Sequence, residues 1–255
     1  MWWLLACSTS SPSQDIALSE QALRQREADP RGAAATCAQI NDPQLHTECT
    51  WAVVEALAPV DGEAAAALCD GLQGRGQGEC YFRLAELRGD ASWCAKAAPN
   101  EDDCRLHVFS QGMGGWLPRG AAPGAVEPLA AAPIQAAGLS VDDPRPWSAL
   151  YRFVLGGQRP LDRSTCADAP TPLQQEACAQ TALALFDDRL NHLRDRGEAL
   201  CEGELPPAAR YAPDPALDAR LAERRAADLC DPSARRSPPP PGGLPGAGPP
   251  GGPPP

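Results

Sequence analysis

Eleven cysteines carry most of the reactive chemistry in this 255-residue chain, and ten of them fall into couples. Cys37/Cys49, Cys69/Cys80, Cys94/Cys104 and Cys166/Cys178 stand 10 to 12 residues apart, which leaves Cys201 and Cys230 for each other. A thiol can enter a disulfide, ligate a soft metal or act as a nucleophile, and spacing helps to choose among these. Helix-stopping residues lie inside every short couple: Asn41-Asp42, the glycines at 71, 74, 76 and 78, Pro99-Asn100 and Pro170-Thr171. In a helical hairpin, positions equally far from the turn face one another. The spacing therefore predicts five local disulfides, each tying two successive helices. Cys49–Cys69 competes with this scheme, because those two also straddle a turn at Pro59–Asp61. Ten cysteines allow about 945 pairings.

Metal binding is the rival chemistry. His46 lies three residues before Cys49 and His107 three after Cys104, so each histidine shares a helical face with a thiol. Two such couples could supply a four-ligand zinc or copper site. No C-x2-C occurs and the couples sit far apart in the chain, so no metal or other cofactor is expected. His46, His107 and His192 are read as surface or partly packed side chains.

Signals for catalysis are absent. The chain has no G-x-S-x-G, H-E-x-x-H or phosphate-loop lysine motif. The glycine clusters 74–78 and 112–115 lack the strand-then-helix setting that cradles phosphate. Neighbouring acids such as Asp102-Asp103, Asp142-Asp143 and Asp187-Asp188 diverge by about 100° on a helix, which suits solvated faces or caps. Arg224-Arg225 and Arg235-Arg236 read as a solvated helix end. Paired thiols leave no cysteine nucleophile, so the expectation is a protein that is not an enzyme.

The eleventh cysteine closes Leu4-Leu5-Ala6-Cys7 and precedes Ser8-Thr9-Ser10-Ser11-Pro12-Ser13. This segment resembles the lipobox of bacterial lipoproteins, followed by a flexible tether. The resemblance implies cleavage before Cys7 and a diacylglycerol anchor on its sulfur. Ser8, in place of an aspartate, implies delivery to the outer membrane, with the folded part facing the periplasm or the cell surface. Secretion is the alternative. Only six uncharged residues precede Cys7, so the leader is expected to continue upstream of Met1. Disulfides agree with such an address, since reducing cytosol does not sustain them.

Composition narrows the partners. A formal charge of −11 argues against nucleic acid and anionic membrane surfaces. Contact with a membrane is expected only through the lipid on Cys7. Aromatics make up only 5% of the chain. An alanine- and leucine-rich interior lets helices approach closely but buries little apolar area, a weakness that covalent staples offset.

The elements expected to position the cysteines are all helical: disulfide-stapled hairpin repeats, solenoid-like, with a disordered Pro/Gly-rich tail. Residues 1–14 form the truncated signal and tether, and 15–112 a Cys-rich helical region. An Ala/Gly/Pro-rich linker or loosely packed connection spans 113–143, a second Cys-rich helical region 144–232, and the tail 233–255. Asp42, Asp61, Asp90 and Asn100 read as helix caps. A repeat joins the halves, because CAQINDPQLHTEC (37–49) and CADAPTPLQQEAC (166–178) share both cysteines, the alanine after the first, and a proline six residues in. Trp51, Trp93, Trp116 and Trp147 are candidate core or interface anchors, with Trp116 expected to be the most exposed. Stacked hairpins offer extended surfaces. The expected role is thus a protein-interaction scaffold in the cell envelope, and the alternative is a small-ligand or metal-sequestering protein.

Overall fold

A computed structural model describes residues 11–118, 121–158, 160–198 and 200–230. Cys7 and the Pro/Gly-rich tail lie outside those residues. The described chain is helical: α1 (Pro12–Gln25), α2 (Pro30–Cys37), α3 (Pro43–Leu57), α4 (Gly62–Asp70), α5 (Gly74–Arg88), α6 (Glu101–Trp116), α7 (Glu127–Ala136), α8 (Pro144–Gly156), α9 (Pro172–Asp195) and α10 (Pro215–Arg224). Tight 3-10 segments occupy Ala91–Lys96 and Arg163–Asp168. No strand occurs among the described residues, only an isolated bridge between Leu161 and Tyr211.

One local device starts five of these helices. An acceptor side chain at the cap precedes a proline, as in Asp29-Pro30, Asp42-Pro43, Asp143-Pro144, Thr171-Pro172 and Asp214-Pro215. The cap satisfies an otherwise orphaned N–H, and proline sits where its missing donor costs nothing. The N–H of Leu45 donates to Asp42 at 2.9 Å, and that of Ala64 to Asp61 at 3.1 Å. Thr171 and Gln174 complete a reciprocal capping box. Asn100 occupies the cap position of α6 without making a side-chain cap bond. Asp15 of α1, 4% exposed, accepts from the N–H groups of Asn41 and Asp42 and fixes α1 against the start of α3.

Packing proceeds between chain neighbours. Helices α1 to α3 enclose a small cluster around Ala22, Ala33, Ile40 and Val53. Helices α3 to α6 enclose a second cluster, in which Cys69, Cys80, Cys94 and Cys104 sit among alanines and leucines around Tyr81. The third and largest surrounds Trp147, Tyr151, Phe186 and Leu190, mainly between α8 and α9. Helix α6 belongs to two of them: its Val108 faces α5, while Phe109 and Met113 reach the third core.

The segment 113–143 is therefore not a linker. Val126, Ala130 and Ile134 are fully buried, four residues apart, in the same core as Trp147. One face of the segment is buried, while Ala132, Gln135 and Ala136 on the other side of α7 are exposed. Trp116 is half-buried rather than exposed, with its ring 6.0 Å from Phe109. Residues 200–205 form an irregular strap without helix.

Glycines 76 and 78 lie within α5 rather than in a loop. Gly78 is required by contact: a Cβ there would meet the Ala98 carbonyl oxygen at 2.4 Å. Thr47 crowds Gly76, whose carbonyl accepts from Trp51 Nε1 at 3.1 Å. The copies of the sequence repeat share the proline and second helix but not the first. Cys37 ends α2, whereas Cys166 lies in a 3-10 segment.

Replacing Gly78 with alanine forces the α5 N-terminus off the Ala97–Ala98 turn and should cost about 1–3 kcal/mol, as overpacking does. Gly112, mid-helix in α6 with open space around its Cα, should behave oppositely. Alanine there should add about 0.5–1 kcal/mol. Urea unfolding of both variants checks the pair, and equal effects would contradict the packing described.

Candidate functional site

All ten predicted bridge cysteines are joined: Cys37 to Cys49, Cys69 to Cys80, Cys94 to Cys104, Cys166 to Cys178 and Cys201 to Cys230. Their Cα atoms stand 5.5 to 5.7 Å apart in the four short bridges and 4.7 Å in the last. Cys49 and Cys69 do not meet. The eight sulfurs of the short bridges belong to residues no more than 4% exposed, whereas Cys201 and Cys230 are exposed. Such bridges fit an oxidising, extracytoplasmic compartment. No helix among the described residues is long and apolar enough to cross a membrane.

Oxidation removes the thiolates that a His/Cys metal site needs. The two histidines also stand apart. His107 Nε2 lies 2.7 Å from Glu86 and its ring is edge-on to Phe82, while His46 lines a small cavity with Thr50, Val53 and Leu68. Among the described residues no three His, Cys, Asp or Glu side chains converge as metal ligands would.

Of the acidic and basic pairs, several have structural partners that spacing along one helix did not disclose. Asp187 on α9 accepts from Arg220 at 2.7 to 3.1 Å and from Arg224 at 3.0 Å. Arg224 also donates to Asn191 at 2.6 Å and Asp228 at 2.9 Å. The side chains of Arg224 and Asp187 are 12% and 18% exposed, so Arg224 is no solvated helix end. These groups recur every four residues on both helices, a signal present in the sequence once α9 and α10 are known to face each other. The Arg224 guanidinium holds the Asp228 carboxyl below the usual carboxylate range. Burial pushes the Asp214 carboxyl upward, but the N–H of Leu217 and the Arg163 guanidinium outweigh it and leave its pKa low. Asp143 caps α8, and Arg145 pairs with Asp143, Asp102 and Asp103. Near the second core, the Tyr81 hydroxyl donates to Asp70 at 2.6 Å, and Lys96 donates to that hydroxyl at 3.0 Å.

A groove of about 680 Å³ has Leu205, Leu221 and Tyr211 in its lining and is flanked by Pro160, Pro207 and Glu204. Irregular segments build it, and each is pinned. The N–H of Leu161 donates to the Arg210 carbonyl at 3.0 Å, and that of Ala212 to the Leu161 carbonyl at 2.8 Å. Tyr211 packs edge-on against Phe186, ring centres 5.0 Å apart, and its hydroxyl donates to Asp218 at 2.6 Å. Burial, then the Asp218 bond, pushes the Tyr211 hydroxyl up to about 12, so it stays a neutral phenol. The strap 200–205 is tied down by Cys201–Cys230 and by Arg225, which donates to the carbonyls of Leu200 at 2.9 Å and Gly203 at 2.8 Å. Arg225, expected to be solvated, thus shapes one wall of the groove.

Size sets apart the space beside His46, whereas a hollow of about 340 Å³ beside Arg163 and Gln175 stands near the lower end of the useful range. The space beside His46 is about 200 Å³, below the roughly 300–1,000 Å³ of sites that enclose an organic ligand, and the groove falls inside that range. An apolar lining with a carboxylate (Glu204) and a guanidinium (Arg210) can hold an extended apolar chain and orient it by charge. Comparison with protein-family models, curated proteins and solved structures finds no match to this chain.

Exposure sets the order in which the bridges open, because a reductant must reach the sulfur. Graded treatment with a phosphine reductant, followed by alkylation and peptide mass mapping, should label Cys201 and Cys230 before any other pair. Earlier labelling of a short bridge would contradict the burial described.

Proposed function

We propose that this chain is an extracytoplasmic binding scaffold, held to the outer membrane through a lipid on Cys7, whose groove at Tyr211 takes an extended apolar segment of a partner protein. The groove carries the reading: a pinned, preformed concavity keeps the ordering cost of binding low. Its lining is apolar, with one neutral phenol and two rim charges, a pattern suited to recognition. The stapled helices behind it act as a rigid support. The net charge of −11 favours protein partners over nucleic acid.

Two measurements test the two halves of the proposal. Cys7→Ala should move the protein from the membrane to the soluble fraction of its native host, and an unchanged distribution removes the anchor. A displayed peptide library panned on the oxidised protein should enrich extended apolar sequences. Their binding should fall at least ten-fold in Glu204→Arg or Pro207→Glu, both at exposed positions. Enrichment that ignores these substitutions, or no enrichment, overturns the groove as the binding site.

A further inference from the structure

We propose that the groove's resident occupant is the chain's own proline run, Pro238–Pro241, folded back beside Tyr211. This rests on the groove being a binding site and adds a regulator: an outside partner must displace the tail.

Three observations converge. The first is place. Cys230 is bonded to Cys201, with Cα atoms 4.7 Å apart, and Gly203 of the groove is two residues further along. The last described residue therefore lies within about 12 Å of the groove wall. Twenty-five residues, 231–255, follow it. The six from Asp231 to Arg236 reach at most about 22 Å, enough to bring Ser237 to the mouth.

The second is shape and surface. Four consecutive prolines favour the extended polyproline II conformation, whose ordering is largely complete before binding. Segments of this kind dock on grooves built from aromatic and apolar side chains. Tyr211, Leu205 and Leu221, flanked by Pro160 and Pro207, offer such a surface.

The third is charge. Arg235-Arg236 precede the run by one serine, and no residue from Ser237 to Pro255 has a charged side chain. Glu202 and Glu204 are exposed on the strap, and Glu204 lies 3.5 Å from the Arg210 guanidinium. With Glu204 shared with Arg210, the exposed Glu202 is the carboxylate that the only basic pair of the tail can meet, and that meeting sets the direction in which the run enters.

A short tether makes even a weak contact populated, because it supplies an effective concentration of about millimolar. Docking should hence be visible as self-competition. The probe is a fluorescent peptide of residues 235–245, and fluorescence anisotropy is read against the full oxidised chain and against a full chain carrying Pro238→Glu and Pro240→Glu. The tail variant should bind the peptide at least ten-fold more tightly than the unaltered chain. Adding Glu204→Arg to the tail variant should lose at least ten-fold of that affinity, while its circular dichroism stays unchanged. Equal binding by the two chains, or no saturable binding, overturns the proposal. Library-selected peptides separate the failures. If they bind both chains equally, the groove stands and only the tail is wrong; if they bind neither, the groove itself falls. Sedimentation is the last check, since a dimer abolished by the tail substitutions would seat the run in a second copy and overturn the folded-back form.

Discussion

Covalent closure of short helical turns is the constraint on which the remainder rests. Between α3 and α6 the interior is mostly alanine, leucine and half-cystine, with Tyr81 as its one fully buried aromatic. Small side chains let backbones approach, to the point that Gly78 touches the Ala98 carbonyl, but they remove little apolar area from water. A bridge across 10 to 12 residues limits the unfolded chain instead, contributing about 3 kcal/mol by loop-closure entropy. The 3-10 segments that carry Cys94 and Cys166 are too short to persist as isolated helices. Their tie to the following helix holds them.

The second half solves the same problem differently. Its core around Trp147 and Phe186 is larger, and α7 closes one side of it. What lies outside that core is held by directional contacts. Arg220 and Arg224 clamp α10 to α9, and Arg225 holds the strap from 200 to 205. Arginine suits this work because its planar fork makes several bonds at once. The groove exists where these clamps leave three irregular segments side by side, and its rigidity is borrowed from α9, α10 and the outermost bridge.

Much of the fold was legible in the sequence, because its signals are local. Asp42-Pro43 and Asp61 start their helices as read, and the cysteine couples mark the turns they flank. The misreadings share one cause. Composition alone does not tell an unstructured segment poor in charge from one that folds and buries a single face, and 113–143 is the latter, with Val126, Ala130 and Ile134 on that face. Glycine reads as loop unless the close neighbour is known, and Ala98 lies 20 residues from Gly78. The groove was not legible at all. It draws on Pro160, the strap near 204, Tyr211 and Leu221, which share no periodicity and meet only through long-range contacts. Arg224 and Arg225 were misread for the same reason, since their partners lie on other elements.

One property of the cystine framework bears on how the molecule is made. Sorted along the chain from residue 37, the sulfurs are joined in consecutive twos, and no link skips over an intervening thiol. A polypeptide threaded N-terminus first through a pore presents each half beside its mate before the following couple emerges. An oxidant acting in order of appearance then builds the finished pattern without reshuffling. That sequence of events holds only if Cys7 is withdrawn from it, and a thioether at that position would do so before Cys37 arrives.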